Sequence, residues 1–297
     1  MQVSLRDVMI PHAGHAATAT EFAASLREIG LNAIELWVEA DRTLPNFRRD
    51  DNTPHSIADA QSLAALRDDL NRHDISPVAL CIASDYSDED REGQKQWSID
   101  TIRAAQQLGA PTVRIDTATR QNHLSSDVIR ENFIVSIREI LAATQDSGID
   151  LGIENHGVQS NDPQFLRAIF AAVPDSRLGL TLDTGNFYWF GFPLEELYQI
   201  LAEFAPRARH THVKNIAYPT EMRDVQRAPG WEYERYVSSL SDGDIDIARV
   251  VGILQEAGYN RSMCIEDEAF GHYPPDERFK VLCDDAEALR AAIEATK

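Results

Sequence analysis

The chain has 297 residues, of which 43% are hydrophobic. That is enough for one barrel or one large α/β domain, and too much for a disordered chain. Its 28 basic and 48 acidic residues leave a formal charge of −20, which repels phosphate backbones and anionic bilayers and argues against nucleic acid or a membrane as partner.

Cys81, Cys264 and Cys283 are few, odd in number and without C-x-x-C spacing. They argue against a disulfide framework or a cysteine zinc site and fit a reducing cytoplasm, the expected location. No apolar run reaches the ~18 residues of a membrane span, and the opening M-Q-V-S-L-R-D carries no signal-peptide core.

Short apolar runs recur along the chain: D-V-M-I (7–10), A-I-E-L-W (33–37), P-V-A-L-C-I (77–82), T-V-R-I-D (112–116), L-G-I-E-N (151–155), L-G-L-T-L-D (178–183), H-T-H-V-K (210–214) and M-C-I-E-D (263–267). Segments with helical spacing separate or follow them, at 18–29, 57–73, 95–108, 127–146, 163–172, 194–204, 245–257 and 276–295. Gly30, Gly109, Gly148 and Gly258 stand just before strands, where a glycine commonly stops the preceding helix. Eight strands alternating with eight helices predict a (β/α)8 TIM barrel, a single α/β domain over 1–297. A doubly wound dinucleotide fold would show G-x-G-x-x-G after its first strand, and none is present. The stretches 38–56 and 215–243 are long for βα connections and are expected to be active-site loops.

Side chains alternate faces along a strand. One face of the predicted strands is apolar throughout except at Thr211. The other carries Glu35, Trp37, Arg114, Asp116, Glu154, His156, Asp183, His210, His212, Lys214, Glu266 and Glu268, gathered toward the C-terminal strand ends. In such barrels that end holds the active site. Several inward carboxylates are costly without a partner. The best ligand set for a divalent ion is Glu154, Asp183, His212 and Glu266, from four successive strands at equivalent depth. Three oxygens and one imidazole suit Mn²⁺, Mg²⁺, Co²⁺ or Zn²⁺. The competing reading is an ion-pair network in which Lys214 and Arg114 neutralise the acids. Glu268 rivals Glu266 one step further out, and His210 rivals His212 one step deeper.

The motifs G-I-E-N-H-G (152–157), L-D-T-G-N (182–186), H-T-H-V-K-N (210–215) and C-I-E-D-E (264–268) resemble those of the xylose isomerase-like TIM barrel superfamily. Within it they are most similar to the sugar phosphate isomerase/epimerase group, which includes tagatose/psicose 3-epimerases, hydroxypyruvate isomerase and inosose-type enzymes. By that resemblance Glu154, Asp183, His212 and Glu266 match metal ligands, and Glu154 and Glu266 match the acid/base pair. Two positions depart from the pattern. Asn186 stands where ketose epimerases often have the histidine of D-T-x-H, and Asn215 stands where many members have Asp.

The chemistry expected is a metal-dependent sugar, keto-sugar or cyclitol isomerisation or epimerisation through an enediolate. Glu154 and Glu266 would move the proton. Lys214, Arg114, His156 and Asn186 would hold hydroxyls or a developing oxyanion, while Trp37 and His12 would shape the sugar-binding wall. The aromatic run Tyr188–Phe190 would cover the site or form a subunit contact. The alternatives are a dehydratase or lyase on a keto-inositol or 3-keto-glycoside, a metal-dependent phosphodiesterase, and a non-catalytic sugar-binding protein. The partner is a small sugar or cyclitol, and proteins of this kind are often homo-oligomers.

Overall fold

The structure, a computed structural model, describes residues 1–87, 89–119 and 123–296. Eight parallel strands close into a barrel: β1 (Gln2–Arg6), β2 (Ala33–Trp37), β3 (Ser76–Cys81), β4 (Thr112–Ile115), β5 (Asp150–Glu154), β6 (Leu178–Asp183), β7 (Ala208–Val213) and β8 (Ser262–Ile265), each paired with its chain neighbours, and β8 with β1. The outer ring is formed by α1 (Ala19–Ile29), α2 (Ala60–Arg72), α3 (Arg91–Leu108), α4 (Ser126–Ala143), α5 (Pro163–Ala172), α6 (Leu194–Phe204), α7 (Ile247–Glu256) and α8 (Arg278–Ala295). The TIM barrel expected from the alternating pattern is therefore present. No helix among the described residues is long and apolar enough to cross a membrane.

Local sequence fixes where these helices start and stop. The carboxylates of Asp59, Asp90, Asp162 and Asp246 accept backbone N–H groups at the first turns of α2, α3, α5 and α7, and the Ser125 hydroxyl does so at α4. Gly30 and Gly109 end α1 and α3 at φ of 78° and 79°, a left-handed geometry that glycine adopts without strain.

The first strand corrects the reading of the sequence. It runs over Gln2–Arg6, and Met9–His12, within and beyond the D-V-M-I run, is a short helix. Met9 and Ile10 are adjacent and both buried, which suits a helical turn and not strand alternation. Val3 and Leu5 instead alternate with Ser4 and Arg6, and Arg6 pairs in register with Glu35.

The apolar outer face packs under the helices, with Ile34, Leu36, Leu80, Val113, Ile115, Ile153, Leu178, Leu180, Val213, Met263 and Ile265 all fully buried. The exception, Thr211, donates its hydroxyl to the Ser262 carbonyl at 3.1 Å, so the polar atom is satisfied there. Inside the barrel the bottom layers are tight. A Cβ at Gly152 would lie 2.8 Å from the Thr181 backbone nitrogen, so glycine lets β5 and β6 approach while the polar groups collect above.

Both long loops are folded. Residues 38–56 form a hairpin, Thr43–Arg48 against Pro54–Ser56, held by Arg42 to Asp100 (2.8 Å) and by buried His55 to Asp69 (3.1 Å). Residues 215–243 close through Asn215–Ile216 paired with Val237–Ser238. Buried Arg227 pins this loop: it packs 4.4 Å from the Tyr188 ring centroid and 4.3 Å from that of Tyr218, and donates to the Tyr188 and Phe192 carbonyls. Tyr188 is itself buried and donates to Asp244 at 2.9 Å. It anchors the loop through that bond.

Asn215 also finds its role here. Its amide donates to the Leu240 and Ile245 carbonyls at 2.9 and 3.0 Å, and its oxygen accepts from Ile245 N–H at 3.0 Å. An aspartate could not make those donations, so the departure from the family pattern is structural.

Candidate metal centre

Four side chains converge at the C-terminal mouth. Ligating atoms of Glu154, Asp183, His212 and Glu266 all lie within 4.8 Å of one another, and all four residues are buried. The residue types and depth chosen by strand parity are thus brought to one point.

Asp183 carries the strongest sign of what belongs there. Its Oδ1 accepts the backbone N–H groups of Gly185 (2.8 Å) and Asn186 (2.6 Å), which fixes the carboxylate plane. Its Oδ2 is buried and has no hydrogen-bond partner; the Lys214 ammonium stands 3.4 Å away, outside hydrogen-bonding geometry. Burial, with Glu266 adding repulsion and Lys214 opposing, pushes the Asp183 carboxyl up to about 6. An orphaned carboxylate oxygen facing three other donors fits a divalent cation.

His212 is fixed from both sides of its ring. Its Nε2 lies 2.8 Å from Glu35 Oε2, while its Nδ1 points at Glu154 Oε1 (2.9 Å) and Glu266 Oε2 (3.4 Å). Glu35 thereby selects the tautomer that leaves Nδ1 free to ligate, as carboxylates behind metal-bound imidazoles do. Without an ion the ring can carry both protons: burial opposes that charge, but Glu35 and Glu266 hold the imidazolium well above its ordinary range. His210, the deeper rival, donates to the same Glu35 oxygen at 2.9 Å. Burial disfavours charge on Glu35, yet His212, His210 and Arg6 keep its carboxyl well below the usual range. With Cys264 these residues form a second buried group of metal-ligating atoms, but the ion pair of Arg6 Nε to Glu35 at 2.9 Å supplies the positive charge there.

Cations surround the centre. Lys214 Nζ stands 3.3 Å from Glu266 and 3.5 Å from Glu268. Arg114 pairs with Glu154 and, at 2.5 Å, with Asp116, and Arg6 pairs with Glu266. The ion-pair network and the ligand cluster are therefore both present. The arginines take the outer oxygens, Glu154 Oε2 and Glu266 Oε1, leaving Glu154 Oε1 and Glu266 Oε2 turned toward His212 Nδ1.

The remaining sequence candidates separate. Asn186 is buried with its side-chain Nδ2 unpartnered, a free donor beside Asp183. His156 is exposed and bonds Asp116 at 3.0 Å, and with Asp116 and Glu154 it forms a further group of potential ligating atoms within 4.8 Å of one another. Trp37 and His12 line a cleft of about 590 Å³ that opens beside the centre and is reached by Glu266, Glu268 and Arg6. Glu268 is exposed and accepts a hydrogen bond from Tyr233 of the 215–243 loop. Arg6 and the orienting role of Glu35 escape the sequence reading. Alternation in V-S-L-R was the available signal for Arg6.

Buried Asp267 and Asp285 lie behind this wall, and the Oδ2 of each lacks a partner. One shared proton makes them donor and acceptor. Burial and the Asp267 charge push the Asp285 carboxyl up to about 9. A carboxyl raised this far stabilises the fold fully below its unfolded value of about 3.9, and that contribution is lost as pH rises through about 9. Asp285→Asn keeps the acceptor for Leu240 N–H (2.8 Å) and offers Asp267 a permanent donor. Its melting temperature is expected to exceed that of the parent by a margin that widens from pH 5 to pH 9. A constant margin in differential scanning fluorimetry would contradict this.

Comparison with known proteins agrees with the fold. Among curated proteins, none matches the chain in sequence. Solved structures that superpose over nearly the whole of both chains include a D-tagatose 3-epimerase-like protein (18% identity, TM-score 0.69, 100% and 98% covered). They also include an IolI protein with a bound zinc atom (13%, 0.72, 100% and 99%). A third is the 3-keto-D-glucoside 4-epimerase YcjR of E. coli in its apo form (13%, 0.69, 98% and 99%). At these identities the likeness establishes the architecture alone. Residues 23–296 match the sequence family described as Xylose isomerase-like TIM barrel, and the chain belongs to that family.

Proposed function

We propose that the protein is a divalent-metal-dependent isomerase or epimerase acting on a sugar, keto-sugar or cyclitol. Glu154, Asp183, His212 and Glu266 would hold the ion, and Glu154 and Glu266 would exchange the proton. The observation that carries this reading is the buried Asp183 carboxylate, whose Oδ1 is held by two backbone N–H groups while its Oδ2 accepts no hydrogen bond and faces Glu154, His212 Nδ1 and Glu266. Three oxygens and one nitrogen suit Mn²⁺, Mg²⁺, Co²⁺ or Zn²⁺. When bound, such an ion supplies Lewis-acid polarisation of a carbonyl and its neighbouring hydroxyl, which acidifies the adjacent C–H.

The protein's own groups do the rest. Glu266 reaches the cleft and is held well below the usual carboxylate range, because Lys214, His212 and Arg6 outweigh its burial. It is thus ionised and able to accept a proton. Glu154 approaches from the far side of the ligand cluster and can return it. Lys214 stays charged against Asp183, Glu266 and Glu268 despite burial and stands where it can stabilise negative charge developing on oxygen. The Asn186 amide is free to donate to a substrate hydroxyl. Arg114 and Asp116 brace Glu154, and His156 braces Asp116. Names among the structural neighbours support sugar chemistry, and the −20 charge opposes a phosphodiester substrate.

The test is NMR in D₂O with added Mn²⁺ and a panel of ketoses, keto-glycosides and keto-cyclitols. Deuterium at one carbon with the formula retained is the expected result. Loss of water or of an aglycone would instead assign a lyase. No exchange with any substrate overturns the catalytic reading.

A further inference from the structure

We propose that the substrate is a substituted keto-sugar, a keto-glycoside whose apolar substituent lies along the outer cleft against Trp37 and Phe270. This rests on sugar chemistry at Glu266 and adds the substrate class. The cleft touches the ligand cluster only through Glu266; Glu154, Asp183 and His212 are not among its walls. It extends sideways over the ends of β1, β2 and β8. Its volume of about 590 Å³ lies in the range that encloses a drug-sized ligand, more than a single sugar ring requires.

Part of the wall of that extension is apolar and fixed, while His12 and Arg278 also line the cleft. Val8, Met9, Trp37, Pro45 and Phe270 form the apolar part. The Trp37 indole N–H donates to Glu39 at 2.9 Å and its backbone N–H donates to Asp7 at 2.9 Å. The Arg6 guanidinium carbon stands 5.5 Å from the Trp37 ring centroid. The other oxygen of Asp7 accepts from Asn46 at 3.2 Å, so one buried carboxyl ties the hairpin carrying Pro45 to the strand end carrying Trp37. Glu39 and Asn46, polar residues of the cleft, are thereby engaged in positioning the wall. A free sugar presents hydroxyls around its whole rim and would leave several of them facing these five side chains. An aryl or similar apolar substituent matches the wall, gaining by burial and by stacking on the indole.

The experiment uses matched methyl and phenyl keto-glycosides derived from glucose, galactose and xylose, in both anomers, with binding read by isothermal titration calorimetry with Mn²⁺ and with EDTA. In the pairs that bind, the phenyl compound is expected to bind about tenfold more tightly or better, from its added apolar burial. Trp37→Ala should cut that advantage to within about twofold, and Trp37→Phe, which keeps an aromatic wall, should retain most of it. Equal affinity within every pair overturns the inference, as does an advantage that survives Trp37→Ala. If no glycoside binds while a free ketose takes up deuterium, the substituent is refuted and the isomerase reading stands. If phenyl glycosides bind through Trp37 and no sugar exchanges, the isomerase reading falls and this one stands.

Discussion

Glu154→Gln is expected to lower product formation by about 10²–10⁴-fold at saturating Mn²⁺, the usual contribution of a positioned acid or base. The amide keeps the size of the side chain and an acceptor oxygen for Arg114, but cannot take or give a proton. Glu266→Gln should cause a loss of the same order, and the two variants should differ in what survives. Glu266 borders the cleft and Glu154 does not. If Glu266 removes the proton, Glu154→Gln still washes substrate hydrogen out into D₂O while forming no product, and Glu266→Gln loses both activities. A purely structural role predicts another outcome. Taking one partner from a buried ion pair costs about 3–5 kcal/mol, so both variants would melt early and show no such division. A folded Glu154→Gln protein that makes product within tenfold of the parent rate would refute its place in the chemistry.

Much of this centre is legible in the sequence because a β-strand converts order into direction. Once L-G-I-E, L-G-L-T-L-D and H-T-H-V are strands, the apolar positions must face the helices, and Glu154, Asp183 and His212 must share the interior. Glu266 and Lys214 continue the same parity one residue beyond their strands. The failure at β1 has an equally local origin. D-V-M-I is more apolar than Q-V-S-L-R, yet a first strand whose interior residue is an arginine reads as polar until its partner is known. Arg6 is stable inside only because Glu35 and Glu266 meet it there, and those come from 29 and 260 residues away. The same distance hides Glu35, whose purpose depends on two imidazoles delivered by β7. Asn215 shows the converse: its neighbours in sequence suggest chemistry, and only the carbonyls of Leu240 and Ile245 reveal a structural bracket.

Divalent cation should stabilise the protein, and Asp183→Asn should separate that effect from folding. An ion at about one hundred times its Kd adds roughly 2.7 kcal/mol, several degrees of melting temperature for a domain of this size. In the absence of the ion Asp183 is a burden: a buried carboxylate with one unpartnered oxygen, raised to about 6 by its surroundings. Because the folded value is raised, its stabilising contribution is complete below the unfolded value of about 3.9 and is lost as pH climbs through about 6. Asparagine keeps the oxygen that accepts from Gly185 and Asn186 and replaces the orphan with a donor facing Glu266. Without metal, Asp183→Asn should therefore melt no lower than the parent at pH 8, while its response to Mn²⁺ disappears. The pattern is diagnostic because the rival explanation predicts its reverse. If Lys214 were the true occupant of the centre, Mn²⁺ would leave the parent unmoved, and Asp183→Asn would strip a charge from a working ion pair and melt earlier. Thermal melts of both proteins in EDTA and in Mn²⁺ decide between a centre built for a cation and one already neutralised by its own lysine.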